Sequence, residues 1–235
     1  MNDRYYLLAL NEFWDDTDGE RLFAEAFRKI DTSRREKAER IKPGKARAAS
    51  VGAGLLLQLA VREALLGKDE NSSVGKGNEV APTIYTVSQI LELVTRPREL
   101  VMEYGKNGKP YLRDLPFFFN LSHSGEYVFC VLSDREVGAD IQLCNSVDYG
   151  RLAGRFFSAG EQRALESCVE ENERQQLFFR LWTRKEAYGK LTGAGLVEVV
   201  GKDLLSGDDA ENDLPLDWLE WSKPEGYRIT VCQYT

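Results

Sequence analysis

An apolar stripe that runs into a carboxylate is the most constraining feature of this chain. Phe178 and Trp182 are four residues apart, and the next position at that spacing is Glu186. Residues four apart share one face of a helix, so the apolar face of the predicted helix continues into an acid. We expect the ammonium groups of Lys185 and Lys190 near that carboxylate. The alternative is a solvent-facing pair of Glu186 with Lys190, worth about 0.3 to 0.5 kcal/mol.

A second acid lies in a predicted strand some forty residues earlier. In residues 137–143, VGADIQL, the period of two places Asp140 and Gln142 on the same face. The residues on either side of Asp140 are apolar, although an aspartate in an edge strand or turn gives the same pattern. An acid from a strand and an acid from a helix, with lysines beside them, suit a divalent cation that holds a phosphate.

With three further segments, these residues make the chain resemble the surfactin-type 4'-phosphopantetheinyl transferases. That family has a G-x-D-x-E strand followed some forty residues later by W-x-x-K-E-A/S-x-x-K. The further segments follow in the family's order, at Tyr104–Pro110, at Asn120–Gly125 (NLSHSG) and at Arg155–Ser158 (RFFS). The chain departs from the family at Gln142, where a third acid is usual, and this bears on the metal shell and on proton transfer. The residues that match the two main motifs are Gly138, Asp140, Trp182, Lys185, Glu186, Ala187 and Lys190.

The resemblance implies an α+β fold built as a pseudo-two-fold repeat of two similar halves, with the active site between them. We expect an N-terminal half at residues 1–115, which binds coenzyme A through a basic segment. A C-terminal half at residues 116–235 would carry the metal site and the contact with a carrier protein. The implied reaction moves 4'-phosphopantetheine from coenzyme A to a serine of an acyl or peptidyl carrier protein and releases 3',5'-ADP.

The resemblance also implies roles for single residues. Asp140 and Glu186, with Gln142 as the third member of the shell, would hold Mg²⁺ or Mn²⁺ against the pyrophosphate. Lys190 and Lys185 would offset the phosphate charge, and Glu186 would accept the serine proton directly or through water. The residues expected to contact coenzyme A are Arg34, Lys37, Arg47, Lys109, Ser122 and His123.

The charge distribution agrees with a phosphate site in the N-terminal part. Residues 28–47 hold nine basic residues against three acids, an excess of +6 in a chain of net charge -7. A solvated helix face would give the same run of charge. His123 is the one histidine of the sequence, and a lone histidine is more often structural. Its place in a Ser/Gly turn with available backbone amides favours contact with the pyrophosphate.

Several classes of protein are disfavoured by composition. The four cysteines are widely spaced without a C-x-x-C pair, so we expect neither a zinc site nor a disulfide framework. The longest apolar runs fall short of the roughly 20 residues of a membrane span. The N-terminus lacks a signal-peptide pattern. We therefore expect a cytoplasmic monomer that binds neither membrane nor nucleic acid.

Local patterns predict most of the elements. We expect a core helix at residues 45–66 and an exposed loop at residues 67–82. Asn107-Gly108 predicts a hairpin with a type I' turn, and residues 117–143 predict an antiparallel meander of three strands. Helices with capping boxes are predicted after Thr17, Ser33 and Ser158.

Two readings compete with the transferase. A catalytically weak relative could bind coenzyme A or a carrier protein as an adaptor or sensor, with Gln142 as the mark of decay. A metal-dependent phosphodiesterase is the third reading, but it would need more ligands than the sequence offers. The acids at 140 and 186 and the lysines at 185 and 190 favour the enzyme, because a decayed site should lose its costly buried charges first.

Overall fold

The computed structural model describes residues 3–67, 81–105, 107–205 and 215–235. The chain forms two compact units. Unit 1 comprises residues 1–103, 110–117 and 121–134, and unit 2 comprises residues 104–109, 118–120 and 135–235. The α+β class is confirmed. The division at residue 115 and the pseudo-two-fold repeat stay predictions, since the two units interleave around that boundary.

Unit 1 is built on a four-stranded sheet. The strands stand in the order β2-β1-β6-β5, with β1 parallel to β2 and antiparallel to β6. A short 3-10 helix at Asn11–Trp14 follows the first strand. The elements are β1 (Arg4–Ala9), α1 (Gly19–Lys29), α2 (Thr32–Glu39), α3 (Lys45–Leu65), β2 (Thr83–Tyr85), α4 (Val87–Leu93), β5 (Phe118–Ser124) and β6 (Tyr127–Ser133).

Helix α3 is the core helix that the sequence predicts. Fourteen consecutive residues, 48–61, are buried, because the helix is apolar on all its faces. Two glycines bring it close to its neighbours, since a Cβ at Gly52 or Gly54 would lie 2.7 Å from Leu10 Cδ2 or from Ile30 Cγ2. Among the described residues, α3 alone is long and apolar enough to cross a membrane, but 78% of that stretch is buried within the protein. Burial of this extent is what a core helix shows.

Unit 2 contains a three-stranded antiparallel sheet in the order β7-β9-β8. The predicted meander is therefore wrong in its third strand. Strand β6 already has β1 and β5 on its two edges, so β7 pairs along its length with β9 instead. The elements are β7 (Val137–Leu143), α5 (Tyr149–Phe156), α6 (Ala159–Ser167), α7 (Glu171–Thr192), α8 (Leu196–Val199), β8 (Leu216–Trp221) and β9 (Tyr227–Tyr234).

The hairpin around Asn107 forms, but its turn is not type I'. Strands β3 (Met102–Tyr104) and β4 (Pro110–Leu112) pair, and the turn closes with Gly105 N donating to Lys109 O at 2.9 Å. A type I' turn needs positive φ at two successive residues. Gly108 has φ of +80°, whereas no described residue other than glycine has positive φ, so Asn107 cannot supply the second position.

One of the three predicted capping boxes is confirmed. The Ser158 side chain accepts from the backbone of Glu161, whose carboxylate accepts from Ser158 N. Helix α2 is capped by Asp31 rather than by Ser33, and the residues before α1 form a turn in which Asp15 accepts two backbone N–H groups. In both cases an aspartate two positions earlier accepts the backbone N–H groups in place of the predicted cap. Residues 68–80 of the predicted loop at 67–82 lie outside the described residues. All four cysteines are free.

Candidate active site

Strand β7 and helix α7 meet backbone to backbone at Gly138. A Cβ at this position would lie 2.8 Å from the Cα of Leu191 and closer still to the carbonyl oxygen of Ala187. Real Cβ atoms do not approach backbone this closely, so packing excludes any larger residue at this position. Because side chains two apart in a strand share a face, Asp140 also points toward α7. The glycine of the G-x-D motif is what lets the aspartate reach the helix.

Asp140 and Lys190 form the first contact of the site. Lys190 Nζ donates to Asp140 Oδ1 at 2.6 Å, and the two side chains are 28% and 6% exposed. Charge-assisted bonds of this length are stronger than neutral ones. Asp140 Oδ2 is buried and accepts no hydrogen bond from the described part of the chain. The lysine of α7 therefore neutralises the strand carboxylate.

Glu186 contributes the second carboxylate. It lies one turn before Lys190 on α7 and is half-buried, in line behind Phe178 and Trp182, whose rings stack with centroids 6.0 Å apart. The predicted continuation of the apolar stripe into an acid is thus confirmed. Burial raises the pKa of Glu186, the negative charge of Asp140 raises it further, and Lys190 opposes both effects. Glu186 and Asp140 are close enough to sense each other's charge.

The oxygen set of this site fits a hard divalent cation. Two carboxylates are the ligands that Mg²⁺ and Mn²⁺ prefer, and they leave coordination positions for phosphate and water. Gln142 is half-buried on the same strand face and adds an amide without charge. Within the described residues no cluster of three or more acidic, histidine or cysteine side chains could hold a metal. Such a cation would therefore depend on its substrate for further ligands.

Lys185 lies elsewhere, and its predicted place near the Glu186 carboxylate is wrong. Its side chain is fully buried, and Nζ pairs with Glu161 Oε2 at 2.9 Å and donates to Lys202 O at 2.5 Å. Residues 185 and 190 are five positions apart, which is about 140° around the helix, so they face different neighbours. Glu161 also accepts from Ser158 N and Leu204 N. The sequence predicts the capping box of Ser158 and Glu161. It does not predict that Glu161 also pairs with Lys185, because a capping box carries no information about a distant partner.

Lys109 is also buried rather than open to a phosphate. Its side chain is 5% exposed, and Nζ pairs with Glu136 and donates to Leu191 O at 2.8 Å. The predicted contact of this ammonium with coenzyme A is therefore not what the structure arranges. Glu136 had no signal in the sequence beyond its place just before β7.

The other predicted coenzyme A residues lie in unit 1. Arg34 and Lys37 are on α2, where desolvation and the positive charge of Arg34 lower the pKa of Lys37. The Arg47 guanidinium lies over the rings of Phe23 and Phe27, at 5.8 and 5.7 Å. Its Nε is buried without a hydrogen-bond partner in the described residues.

Ser122 and His123 lie within β5 and not in a turn, since the strand continues to Ser124 before it reverses at Gly125. Ser122 is buried and His123 is exposed. The expected turn amides are thus part of a strand with β6 as its neighbour. The two side chains leave the strand on opposite faces, because successive residues of a strand alternate. A contact of both with one pyrophosphate stays a prediction.

Comparison with known proteins finds a family match over the part of the chain that carries the two carboxylates. Residues 136–232 match the family described as the 4'-phosphopantetheinyl transferase superfamily. The match covers less than half of the chain. The matched residues include Asp140, Glu186 and Lys190, together with Gly138 and the buried pair of Lys185 with Glu161. The basic segment at residues 28–47 lies outside the match.

Individual relatives that the chain resembles bear the name of the same family. A 4'-phosphopantetheinyl transferase of Bacillus pumilus, psf-1, is 44% identical over 109 residues, 46% of this chain and 46% of its own. The 4'-phosphopantetheinyl transferase gsp of Aneurinibacillus migulanus is 30% identical over 152 residues, 61% of this chain and 62% of its own. The 4'-phosphopantetheinyl transferase AcpT of Escherichia coli strain K12 is 39% identical over 103 residues, which are 43% of this chain and 52% of its own. The chain spans about half the length of most of these curated relatives.

Proposed function

We propose that this protein is a surfactin-type 4'-phosphopantetheinyl transferase. It would transfer 4'-phosphopantetheine from coenzyme A to a serine of an acyl or peptidyl carrier protein, with 3',5'-ADP as the second product. The observation that carries the proposal is the contact of Lys190 with Asp140 beside the half-buried Glu186, inside a domain of that superfamily. The names of the relatives support the same reaction.

The reaction needs charge neutralisation, alignment and a proton acceptor. The serine oxygen forms a bond to the phosphorus that bears pantetheine, and the bond from that phosphorus to the bridging oxygen breaks. The electron pair leaves with 3',5'-ADP. Mg²⁺ or Mn²⁺ held by Asp140 and Glu186, with Gln142 beside them, would supply positive charge at the pyrophosphate.

The residues of this chain carry the remaining work. Glu186 accepts the serine proton directly or through water. Lys190 offsets negative charge as the leaving oxygen departs. Lys185 acts at a distance, because its buried pair with Glu161 fixes the helix that carries both residues. Arg34, Lys37, Arg47, Ser122 and His123 are proposed to contact the phosphates and nucleotide of coenzyme A.

The carrier protein is assigned to unit 2. Arg151 and Arg155 are exposed on α5, the helix that follows β7, the strand that carries Asp140. Two exposed guanidinium groups suit the acidic helix of a carrier protein. We further propose a cytoplasmic monomer without a membrane or nucleic-acid partner.

The deciding experiment is a direct assay. The protein is incubated with coenzyme A, Mg²⁺ and a panel of apo carrier proteins, and each carrier is examined by mass spectrometry for the pantetheine adduct. We expect an adduct on at least one carrier, lost when a chelator is added. Absence of the adduct on every carrier, while a known transferase modifies the same panel, would contradict the proposal.

The adaptor is the second candidate, and Gln142 favours it. The described residues supply two carboxylates where the family usually has three acids, and they hold no larger metal-binding cluster. An adaptor would bind coenzyme A or a carrier without forming the adduct. Calorimetry with coenzyme A, run beside the transfer assay, separates the two functions.

A further inference from the structure

The buried ammonium of Lys109 connects three segments of unit 2. Lys109 belongs to the turn that follows β3, and its Nζ contacts Glu136 and the carbonyl oxygen of Leu191. Glu136 immediately precedes β7, and Leu191 lies in the last turn of α7. The last four carbonyls of a helix have no partner within it, and a cation near them is favoured by the helix dipole. Lys109 thus caps α7 from a distant part of the chain.

The two elements that Lys109 joins are the two that carry the carboxylates of the site. Asp140 lies four residues after Glu136 on β7, and Glu186 lies five residues before Leu191 on α7. A single ammonium therefore contacts the start of one element and the end of the other. Because Gly138 already places β7 against the backbone of α7, a second link at this end resists sliding of the helix along the strand.

The backbone around Lys109 is fitted to the same helix end. Gly193 ends α7 with φ of +76°, and a Cβ added there would lie 3.2 Å from Lys109 Cβ and 3.4 Å from Asn107 Cβ. The turn of the hairpin therefore packs directly on the helix terminus. A lysine held by both its backbone neighbours and its ammonium is poorly placed to swing out toward a ligand.

We propose that Lys109 is a positioning residue, which fixes α7 against β7 and so sets the separation of Asp140 and Glu186. The proposal rests on the transferase function above, and it replaces the expected contact of Lys109 with coenzyme A. A positioning residue acts on the chemical step, whereas a phosphate ligand acts mainly on the binding of coenzyme A.

The test compares Lys109→Met, Lys109→Arg and Glu136→Gln with a control, Lys223→Met, at an exposed lysine of unit 2. Transfer kinetics give kcat and the KM for coenzyme A. Amide hydrogen exchange of residues 186–192 reports local opening of the end of α7 without any substrate. Glu136→Gln keeps a hydrogen-bond acceptor at a half-buried position, so it serves if Lys109→Met fails to fold.

We expect Lys109→Met to lower kcat by about ten- to hundredfold and to speed exchange at the end of α7. The KM for coenzyme A should stay within about twofold. Glu136→Gln should act in the same direction, Lys109→Arg should recover part of kcat, and the control should match the wild type. A raised KM with unchanged exchange, and a neutral Glu136→Gln, would overturn the proposal.

The exchange measurement separates this proposal from the transferase function. If the wild type forms no adduct, the function fails, but exchange in the variants still decides whether Lys109 holds the helix. If the wild type transfers normally and exchange is the same in all variants, only the role of Lys109 fails.

Discussion

The segment that matches the superfamily, residues 136–232, and the basic segment, residues 28–47, carry their charges in different environments. In unit 2, each charge near the carboxylates is buried or half-buried and has a definite partner, as Lys190 has in Asp140 and Lys185 has in Glu161. In unit 1, the charges of residues 28–47 lie largely on the surface of α1, α2, the start of α3 and the turn before α3. Several pair with nearby acids, such as Lys45 with Glu126. The effect of a buried charge depends on the exact position of its partner. The effect of exposed charges depends mainly on their total, because each single exposed pair contributes little.

This difference predicts how each region responds to substitution. One buried residue cannot be exchanged without disturbing its partners, so single changes in unit 2 should have large effects. Charges on a surface are screened by salt and compensate for one another, so changes in the basic segment should have graded effects.

Glu186→Gln should lower the rate of transfer by about two to four orders of magnitude, since it removes the proposed base and one of two anionic ligands. The fold should survive. Burial raises the pKa of Glu186, so its ionised form destabilises the folded protein once the pH exceeds that raised pKa. At neutral pH the variant should therefore melt at the same temperature as the wild type or higher, as measured by calorimetry.

The matched control is Glu173→Gln, an exposed acid on the same helix. It should change neither transfer nor melting temperature appreciably. In the wild type, the rate should fall at acidic pH, because protonation of Glu186 removes the proposed base and a metal ligand. Near-normal turnover by a folded Glu186→Gln protein would refute the assignment of the site.

Gly138→Ala should destabilise the protein by about 1–3 kcal/mol or more, because its Cβ would overlap the backbone of α7. Transfer should fall as well, since Asp140 moves with the strand. The control is Gly154→Ala on α5, where an added Cβ meets nothing within 4 Å. That change should stabilise by about 0.4–1 kcal/mol. Urea unfolding measures both, and equal stability of the two variants would contradict the close approach of β7 and α7.

The sequence predicts the elements of this protein better than it predicts their partners. Helices α3 and α7 follow from apolar periodicity, which is a local property. The pairing of β7 was missed because it depends on which sheet edges remain open, and that depends on β1 and β9. The direction of Lys185 was missed for a similar reason, since its partner Glu161 is on another helix. Tertiary contacts decide both, and no local pattern records them.

The same distinction applies to the candidate site, where local motifs predict some residues and tertiary contacts determine the place of the others. Asp140, Glu186 and Lys190 were recognisable from motif spacing. In the structure Asp140 and Lys190 contact each other, and Glu186 lies close enough to sense the charge of both. Lys109 was expected to be a ligand because the resemblance places a coenzyme A contact at its position. Its burial follows from the pairing with Glu136 and from the helix end, which only the folded chain brings together.

Reversal of charge at Arg34 and Lys37 together should weaken coenzyme A binding by at least about tenfold, or 1.4 kcal/mol. The affinity for dephospho-coenzyme A should fall less, because this ligand lacks the 3'-phosphate, where the resemblance places this segment. Calorimetry with both ligands, repeated at rising salt, measures the difference.

The control for this pair reverses Arg40 and Lys42, which are exposed in the same segment and carry the same charge. It changes the net charge equally, so it should weaken both ligands slightly and by the same factor. Equal losses for both ligands in the Arg34 and Lys37 variant would mean that the segment is only a solvated surface.

The smallest effect is expected from Gln142→Glu, which restores the acid usual in the family. Calorimetry of Mn²⁺ without coenzyme A should show tighter binding, but by less than about tenfold. The reason is Arg228, which pairs with Gln142 across β7 and β9 and whose Nε is buried without a hydrogen-bond partner in the described residues. A carboxylate at position 142 would gain that guanidinium as a neighbour, and cross-strand pairs of opposite charge offset each other.

Removing Arg228 tests this reasoning. Gln142→Glu combined with Arg228→Gln should bind Mn²⁺ more tightly than Gln142→Glu alone, because the new carboxylate then keeps its full charge for the metal. Turnover of Gln142→Glu should stay within a modest factor of the wild type, since the proton is accepted by Glu186. A large gain in turnover would instead show that the natural chain is an impaired enzyme, and it would favour the adaptor over the transferase.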